Sequence, residues 1–489
     1  MSRLHNFGTL VLLAFTLGAA RGQDSTQSTS GSDTGGNYQE PVAAYGQENP
    51  PAPISQNPPL SGMDVPGLEP HAAPVSYLQA GATLAETADS NVANTLGSGS
   101  TSSISRALAS LTLQRLWSHY DLGLDYVGGT GYYDLKGEGF KALQQMDLEQ
   151  KITWKRGQLA LRDSFSYLPE GNFGGSYGSL GSQGIESLGN SPFGTLWGGA
   201  ALGTLGLAPR IVNVSLADIS ENLTPRSSVT AAGGYAFTHF YGNDFSTGAP
   251  FLGSSQVSAQ AGYDRILTSH TQMAFVYGYQ GFDFKVIGAD FHSHIIEVLY
   301  GHRLSGRMDF IAGAGPQFTH IELFGIIPDF RIGVAGQARL RYRFPKTSLD
   351  LSYQRFLTSG SGFFLGAETD IARMTLSRPL SRVWSAFADL GYSRNSRQQP
   401  LTAQELTTCG AANQPPCPGV NANTYEYGFA GGGLHRAFGH DFHAYISYQF
   451  NELSFDHSYC GGLPVCSRIG NRQAGTIGLD WTPRPIRLD

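Results

Sequence analysis

From Asp329 to Phe344 the chain alternates without a break. Phe330, Ile332, Val334, Ala338, Leu340, Tyr342 and Phe344 share one parity, and Asp329, Arg331, Gln337, Arg339, Arg341 and Arg343 share the other. Successive side chains of a strand point to opposite faces, so this segment is apolar on one side and strongly charged on the other. The pattern recurs at Leu116–Tyr126, Met146–Trp154, Met273–Tyr279, Met308–Phe318, Trp384–Tyr392 and Phe442–Phe450. Repetition over so long a stretch predicts a sheet with one polar face and one apolar face throughout.

Composition narrows the classes. Of 489 residues, 14% are charged, against roughly 25% in ordinary soluble domains. The 63 glycines and 51 tyrosines and phenylalanines suit closely paired strands with aromatic girdles. A mean hydropathy of −0.18 excludes a bundle of membrane helices. Net charge is −6, and no basic aromatic patch points to nucleic acid.

Three zones follow. Residues 1–22 read as a signal peptide: Arg3 and His5, an apolar run from Leu10 to Ala20, then Ala20-Arg21-Gly22 as the cleavage site. Residues 23–105 are rich in Ser, Gln, Gly and Pro, with nine prolines from Pro41 to Pro74. Such a segment buries too little apolar surface to offset its ordering entropy, so a disordered periplasmic tether is expected, with cell wall as a possible partner. Residues 106–489 carry the strand signals. Short connections near Arg156-Gly157, Ser269-His270, Ser305-Gly306, Pro345-Lys346, Leu380-Ser381 and Gly439-His440 alternate with long polar or Gly-rich ones. This parity gives about sixteen strands, the first at 116–127 and the last at 471–482. The expected fold is all-β, a transmembrane antiparallel up-and-down β-barrel.

On these features the chain resembles bacterial outer-membrane β-barrel proteins, in particular the sixteen-stranded porins. The resemblance implies the outer membrane as location, its lipid and the barrel-assembly machinery as partners, and an aqueous channel for small polar solutes. The other reading is a non-conducting barrel whose outer loops bind a surface partner or substrate. Such barrels usually end on an aromatic residue; here Leu479 and Trp481 are followed by Thr482 to Asp489, with Pro483 and Pro485.

The inward parity supplies a lumen lining: Arg162, Arg331, Arg339, Arg341, Arg343 and Arg373, with Asp147, Glu149, Asp264, Asp309, Asp350 and Asp389. Opposed rows of these charges would set up a transverse field, or would pair with one another along the wall. The connection from Pro169 to Ala208 holds twelve glycines up to Leu207, and either folds into the pore or lies over its mouth. Cys409 and Cys417 share one loop and Cys460 and Cys466 another, so disulfides are expected, with two local bridges as the simplest pairing. Their spacing is too wide for the usual zinc pattern, and no metal or cofactor is implied. His292-Ser293-His294 is the best local cluster for a rim catalytic pair or a metal. Two histidines on one strand face also suit an aromatic girdle, and no nucleophile elbow, HExxH or phosphate loop occurs, so no enzyme is predicted.

Overall fold

The computed structural model describes residues 60–61, 76–93, 96–97, 99–170, 207–241, 253–284, 289–323, 329–344, 346–360, 364, 366–398, 422–460 and 467–488. The strands are β1 (Tyr77–Asp89), β2 (Ser102–Leu116), β3 (Tyr120–Tyr133), β4 (Gly139–Trp154), β5 (Gly157–Glu170) and β6 (Leu207–Thr224). Next come β7 (Ser227–Phe240), β8 (Ser254–Thr268), β9 (Thr271–Phe284), β10 (Ala289–Ser305), β11 (Met308–Leu323) and β12 (Asp329–Phe344). The last are β13 (Thr347–Thr358), β14 (Ala367–Pro379), β15 (Trp384–Arg397), β16 (Thr424–Phe438), β17 (Phe442–Phe455), β18 (Ile469–Trp481) and the two-residue β19 (Ile486–Arg487).

Every strand from β1 to β18 pairs antiparallel with its sequence neighbours, and β1 also pairs with β18, from Ala82↔Trp481 to Asp89↔Ala474. The sheet therefore closes as an up-and-down barrel of eighteen strands with no free edge. The expected sixteen falls short by two, and the reason is local. β1 lies inside the zone expected to be disordered, and β2 runs from that zone to the start of the expected first strand. Both strands are built largely from Ala, Ser, Thr and Gly, residues that present weak apolar alternation (YLQAGATLAETAD and SSISRALASLTLQRL). The barrel thus begins at Tyr77, not at residue 106. Residues 1–22 lie outside the described residues.

Short turns join each even strand to the next odd one, and the longer connections fall at the other end. The start of β1 and the end of β18 both lie at the short-turn end. Four of the five tryptophans, Trp117, Trp154, Trp384 and Trp481, are there too, in or beside short turns or at the closing seam. They form a girdle of the kind that sits at a membrane surface. Arg436 lies 5.3 Å from the Trp384 ring centre and 4.7 Å from that of Phe438, which anchors this rim further.

Burial is inverted relative to a soluble protein. Ile332 is 70% exposed, Val334 57%, Phe275 52% and Ile477 62%, all pointing outward. The opposite parity buries polar groups such as Gln272, Gln280, Ser293, Thr319, Asn395 and Asn451. The outward face has a few polar exceptions. Arg355 pairs with Glu368 and lies 3.6 Å from Asp370 near the long-loop rim, and Asp163 on β5 accepts a 2.5 Å hydrogen bond from Ser215.

After Trp481 the chain does not leave the wall. Thr482 N–H donates to Asp441 (2.7 Å), Gln79 Nε2 donates to the Pro483 carbonyl (3.1 Å), and β19 pairs with Tyr77 and Leu78. The two prolines interrupt the ladder because they lack a donor, and the strand direction resumes beyond them.

Candidate functional site: the inner wall of the barrel

The predicted charged residues fall on the face opposite the exposed apolar side chains, and most meet in ion pairs. Arg339 grips Asp350 through Nε (2.9 Å) and Nη2 (2.6 Å). Arg341 Nη2 lies 2.8 Å from Asp309, and Arg373 Nη2 lies 2.7 Å from Asp389. On β4 and β5, Glu149 is held by Arg162 (2.7 Å) and Lys151 (2.9 Å), while Asp147 accepts from Ser164 (2.5 Å) and Gln145 (3.1 Å). Arg331 pairs with Asp329 (3.0 Å) at the long-loop end of β12. Arg343 is next to last on β12, at the short-turn rim. These pairs follow from register. Arg341 stands directly across from both Asp309 and Asp350, and Glu149 directly across from Arg162.

The pairs divide into two groups. β3 and β12 are nine strands apart in an eighteen-stranded ring, so they lie on opposite sides. Around β12 to β14, four guanidinium groups (Arg339, Arg341, Arg343, Arg373) face three carboxylates (Asp309, Asp350, Asp389). Around β3 to β5, four carboxylates (Asp121, Asp125, Asp147, Glu149) face two cations (Lys151, Arg162). Both groups lie within a few residues of the short turns, at a similar level. One side therefore carries a net positive charge and the other a net negative one.

Several inner-wall residues were missing from the sequence reading. Asp121 and Asp125 lie on the parity opposite the exposed Tyr120 and Tyr126 and so face inward. Glu297 on β10 accepts from Gln337 on β12 (3.3 Å), past the intervening β11. Near the long-loop end the lining turns aromatic: Phe282, Phe284 and Phe291 on one arc, and Tyr425, Tyr427, Phe429, Phe455 and Tyr459 on another.

Asp264 differs from the other predicted acids, because its partner is not on the wall. It accepts the Ser61 N–H (2.9 Å) and the Ser61 hydroxyl, and Ser61 Oγ lies 2.6 Å from Thr230 Oγ1. Leu60 and Ser61 thus sit inside the barrel, at 3% and 1% exposure.

His292 and His294 point outward. Their Nδ1 atoms lie 2.8 and 2.7 Å from the hydroxyls of Tyr279 and Tyr277, and the rings stack, as in an aromatic girdle. Ser293 points inward and lies 2.9 Å from the Gln317 amide, so the three residues do not converge. No group of three metal-ligating side chains occurs among the described residues. The Pro169–Ala208 connection lies mostly outside the described residues, as do Cys409, Cys417 and Cys466. Cys460 ends a short 3-10 turn and packs against the aromatic cluster, and no free cysteine is found among the described residues.

The wall closed upon itself, the outward apolar belt and the inward polar lining define an outer-membrane β-barrel of the porin-like type. No protein-family description matches the chain, and no curated protein matches it. Among solved structures, the chain is similar to the Pseudomonas aeruginosa outer-membrane protein OpdK, with 9% identity over 83% of this chain and 98% of that one (TM-score 0.39). It is also similar to P. aeruginosa OccK5 (OpdH), with 11% identity over 84% and 98% (TM-score 0.38). For P. aeruginosa OccK2 (OpdF), the identity is 8% over 83% and 98% (TM-score 0.40).

Proposed function

We propose that this protein is an outer-membrane channel for passive diffusion of small polar solutes. The observation that carries the reading is the inversion of the barrel, with carboxylates, guanidinium groups and amides lining a ring of eighteen strands. Side chains fill barrels of about eight strands, whereas rings of 16–18 leave an aqueous passage. A lumen that held no water would leave these groups desolvated, at several kcal/mol for each unpaired charge. The twelve predicted charges, from Asp147 and Glu149 to Asp389, then act as the lining. The net positive arc at β12–β14 faces the net negative arc at β3–β5, so a dipolar or charged solute is oriented between them. His292 and His294 face away from Ser293, so that cluster forms no catalytic pair, and the reading assigns transport.

The test is single-channel recording of the purified protein in a planar bilayer under a salt gradient. Discrete conductance steps are expected, with a reversal potential that moves when the arcs are altered. Insertion without steps would refute the channel reading and leave the outer loops as the functional surface.

A further inference from the structure

One apolar region of the inner wall is covered by residues from outside the strands. Val212, Val214 and Leu216 on β6, Ala236 on β7, Ala274 and Val276 on β9, Leu299 on β10, Ile311 on β11 and Phe356 on β13 form an inward apolar cluster, and Leu60 is part of it. Apolar surface facing a wet lumen is unfavourable unless something covers it. Leu60 does so, and Ser61 satisfies the polar groups alongside. Asp264 takes both the Ser61 amide and its hydroxyl, while Thr230 Oγ1 (3.1 Å) and Gln260 Nε2 donate to the Ser61 carbonyl. Every polar atom of Ser61 is therefore matched by the wall.

The wall is also shaped for these two residues. A Cβ on Gly262 would collide with the Ser61 side chain, and one on Gly301 would come within 3.0 Å of Leu60 Cδ2. Both glycines sit in strand interiors, where glycine weakens a strand and often marks the close approach of another segment. An apolar patch, a matched polar site and two glycine gaps coincide at one place, and all three are filled by the same dipeptide.

We propose that Leu60–Ser61 is an internal latch. It docks one point of the N-terminal chain on the inner wall and takes up part of the lumen cross-section, so the passage is wider in protein whose latch is released. This rests on the channel reading, since a latch restricts conduction only if there is conduction.

Two variants release the latch from opposite sides. Gly262→Ala fills the wall and leaves the segment unchanged. Leu60→Glu leaves the wall unchanged and places a carboxylate against the apolar cluster. Two measurements are made on the full-length protein with its signal peptide processed: unitary conductance in a planar bilayer, and amide hydrogen exchange at Leu60–Ser61 in lipid nanodiscs, read by mass spectrometry. The expected result is slow exchange in the wild type, fast exchange in both variants, and a larger unitary conductance in both. Fast exchange at Ser61 in the wild type would overturn the latch. Loss of protection in the variants with unchanged conductance would overturn its effect on the passage. If no form conducts, the channel reading fails, with the proposal that depends on it, whereas steps of equal size in all three forms defeat the latch alone.

Discussion

At the scale of single residues, an ion pair on the inner wall of a barrel is both a structural contact and a source of field. Arg339 and Asp350 neutralise each other at close range, as do Arg341 and Asp309, so neither pair attracts a passing ion strongly by itself. Removing one partner unbalances the field. Arg339→Gln with Arg341→Gln leaves Asp350 and Asp309 uncompensated and is expected to shift the reversal potential toward cation preference. Asp309→Asn with Asp350→Asn is expected to shift it the other way. Shifts of the same sign in both would show that these pairs do not set the selectivity. Leu340 stands between the two arginines in sequence but faces lipid. Leu340→Glu is expected to leave selectivity alone and to impair insertion, at a cost of about 1–4 kcal/mol depending on depth. Liposome-insertion yield checks it. The face of each of these residues was legible from parity, because the period of a strand is two and a slip of one would expose every charge to lipid. What parity could not give was partners, since those depend on which strands are neighbours and in what register. Nothing in the local sequence marks Leu60 or Ser61; their role depends on a wall formed by residues about 150 to 300 positions further on.

At the scale of elements, the strands rich in large apolar residues were readable and the small-residue ones were not. β1 and β2 adjoin a Pro-rich zone, and the composition of that zone hid them. The terminal tail is the opposite case: barrels of this kind usually end on an aromatic residue, and here eight further residues follow Trp481. The structure gives residues 482–488 a place. Leu488 N–H donates to the Ser76 carbonyl (3.0 Å), and Arg115 Nη1 donates to the Leu488 carbonyl (3.2 Å), so the tail clasps the start of β1 and the end of β2. Deletion of 482–489 is expected to lower the temperature at which the barrel loses its compact mobility on a semi-native gel. Assembly should persist, since Trp481 then supplies the aromatic end. Unchanged thermal mobility would show that the tail contributes nothing to closure. At the other rim, Asp456 lies just beyond β17 and accepts amide hydrogen bonds from Asn423 (2.7 Å), Thr424 (2.8 Å) and Ser458 (2.9 Å). Burial alone would raise its carboxyl, but the bonds from Ser458, Thr424 and Asn423 outweigh burial and hold it below the ordinary carboxylate range. A depressed folded pKa stabilises the fold above the unfolded value of about 3.9 and ceases to do so as pH falls through the folded value. Pepsin cleavage beyond β17 is therefore expected to rise on acidification, relative to Asp456→Asn, in which this carboxylate is absent. Parallel curves for the two proteins would rule out the carboxylate as the clasp.

At the scale of the whole molecule, a barrel is only as closed as its seam. Apart from the two-residue β1–β19 contact, the other strand pairs join elements adjacent in sequence, and loop closure for each is entropically cheap; the β1–β18 pair joins residues nearly 400 positions apart. That seam is short, running only from Ala82↔Trp481 to Asp89↔Ala474, with Thr87 Oγ1 2.9 Å from Thr476 Oγ1 along it. At its long-loop end Arg472 Nε donates to Asp89 (2.6 Å), with both side chains almost wholly buried (2% and 0% exposed). Above that pair, Gly97 N–H reaches the Ile469 carbonyl (2.8 Å), with Gly97 at φ +96°, a conformation few other residues adopt. The buried pair therefore pins the end of the seam where thermal opening would otherwise begin. Removing one partner of a buried pair costs roughly 3–5 kcal/mol, because the other charge is left unmatched, whereas replacing both by apolar groups of similar volume is often neutral. Arg472→Ala is accordingly expected to lower the unfolding temperature sharply. Asp89→Leu with Arg472→Met should recover most of the loss, as read by heat-dependent gel mobility and by intrinsic tryptophan fluorescence. If the double variant were as unstable as the single one, the pair would be holding the seam by its specific geometry, and its contribution would lie in fixing the register of the closing strands and not in matching a buried charge.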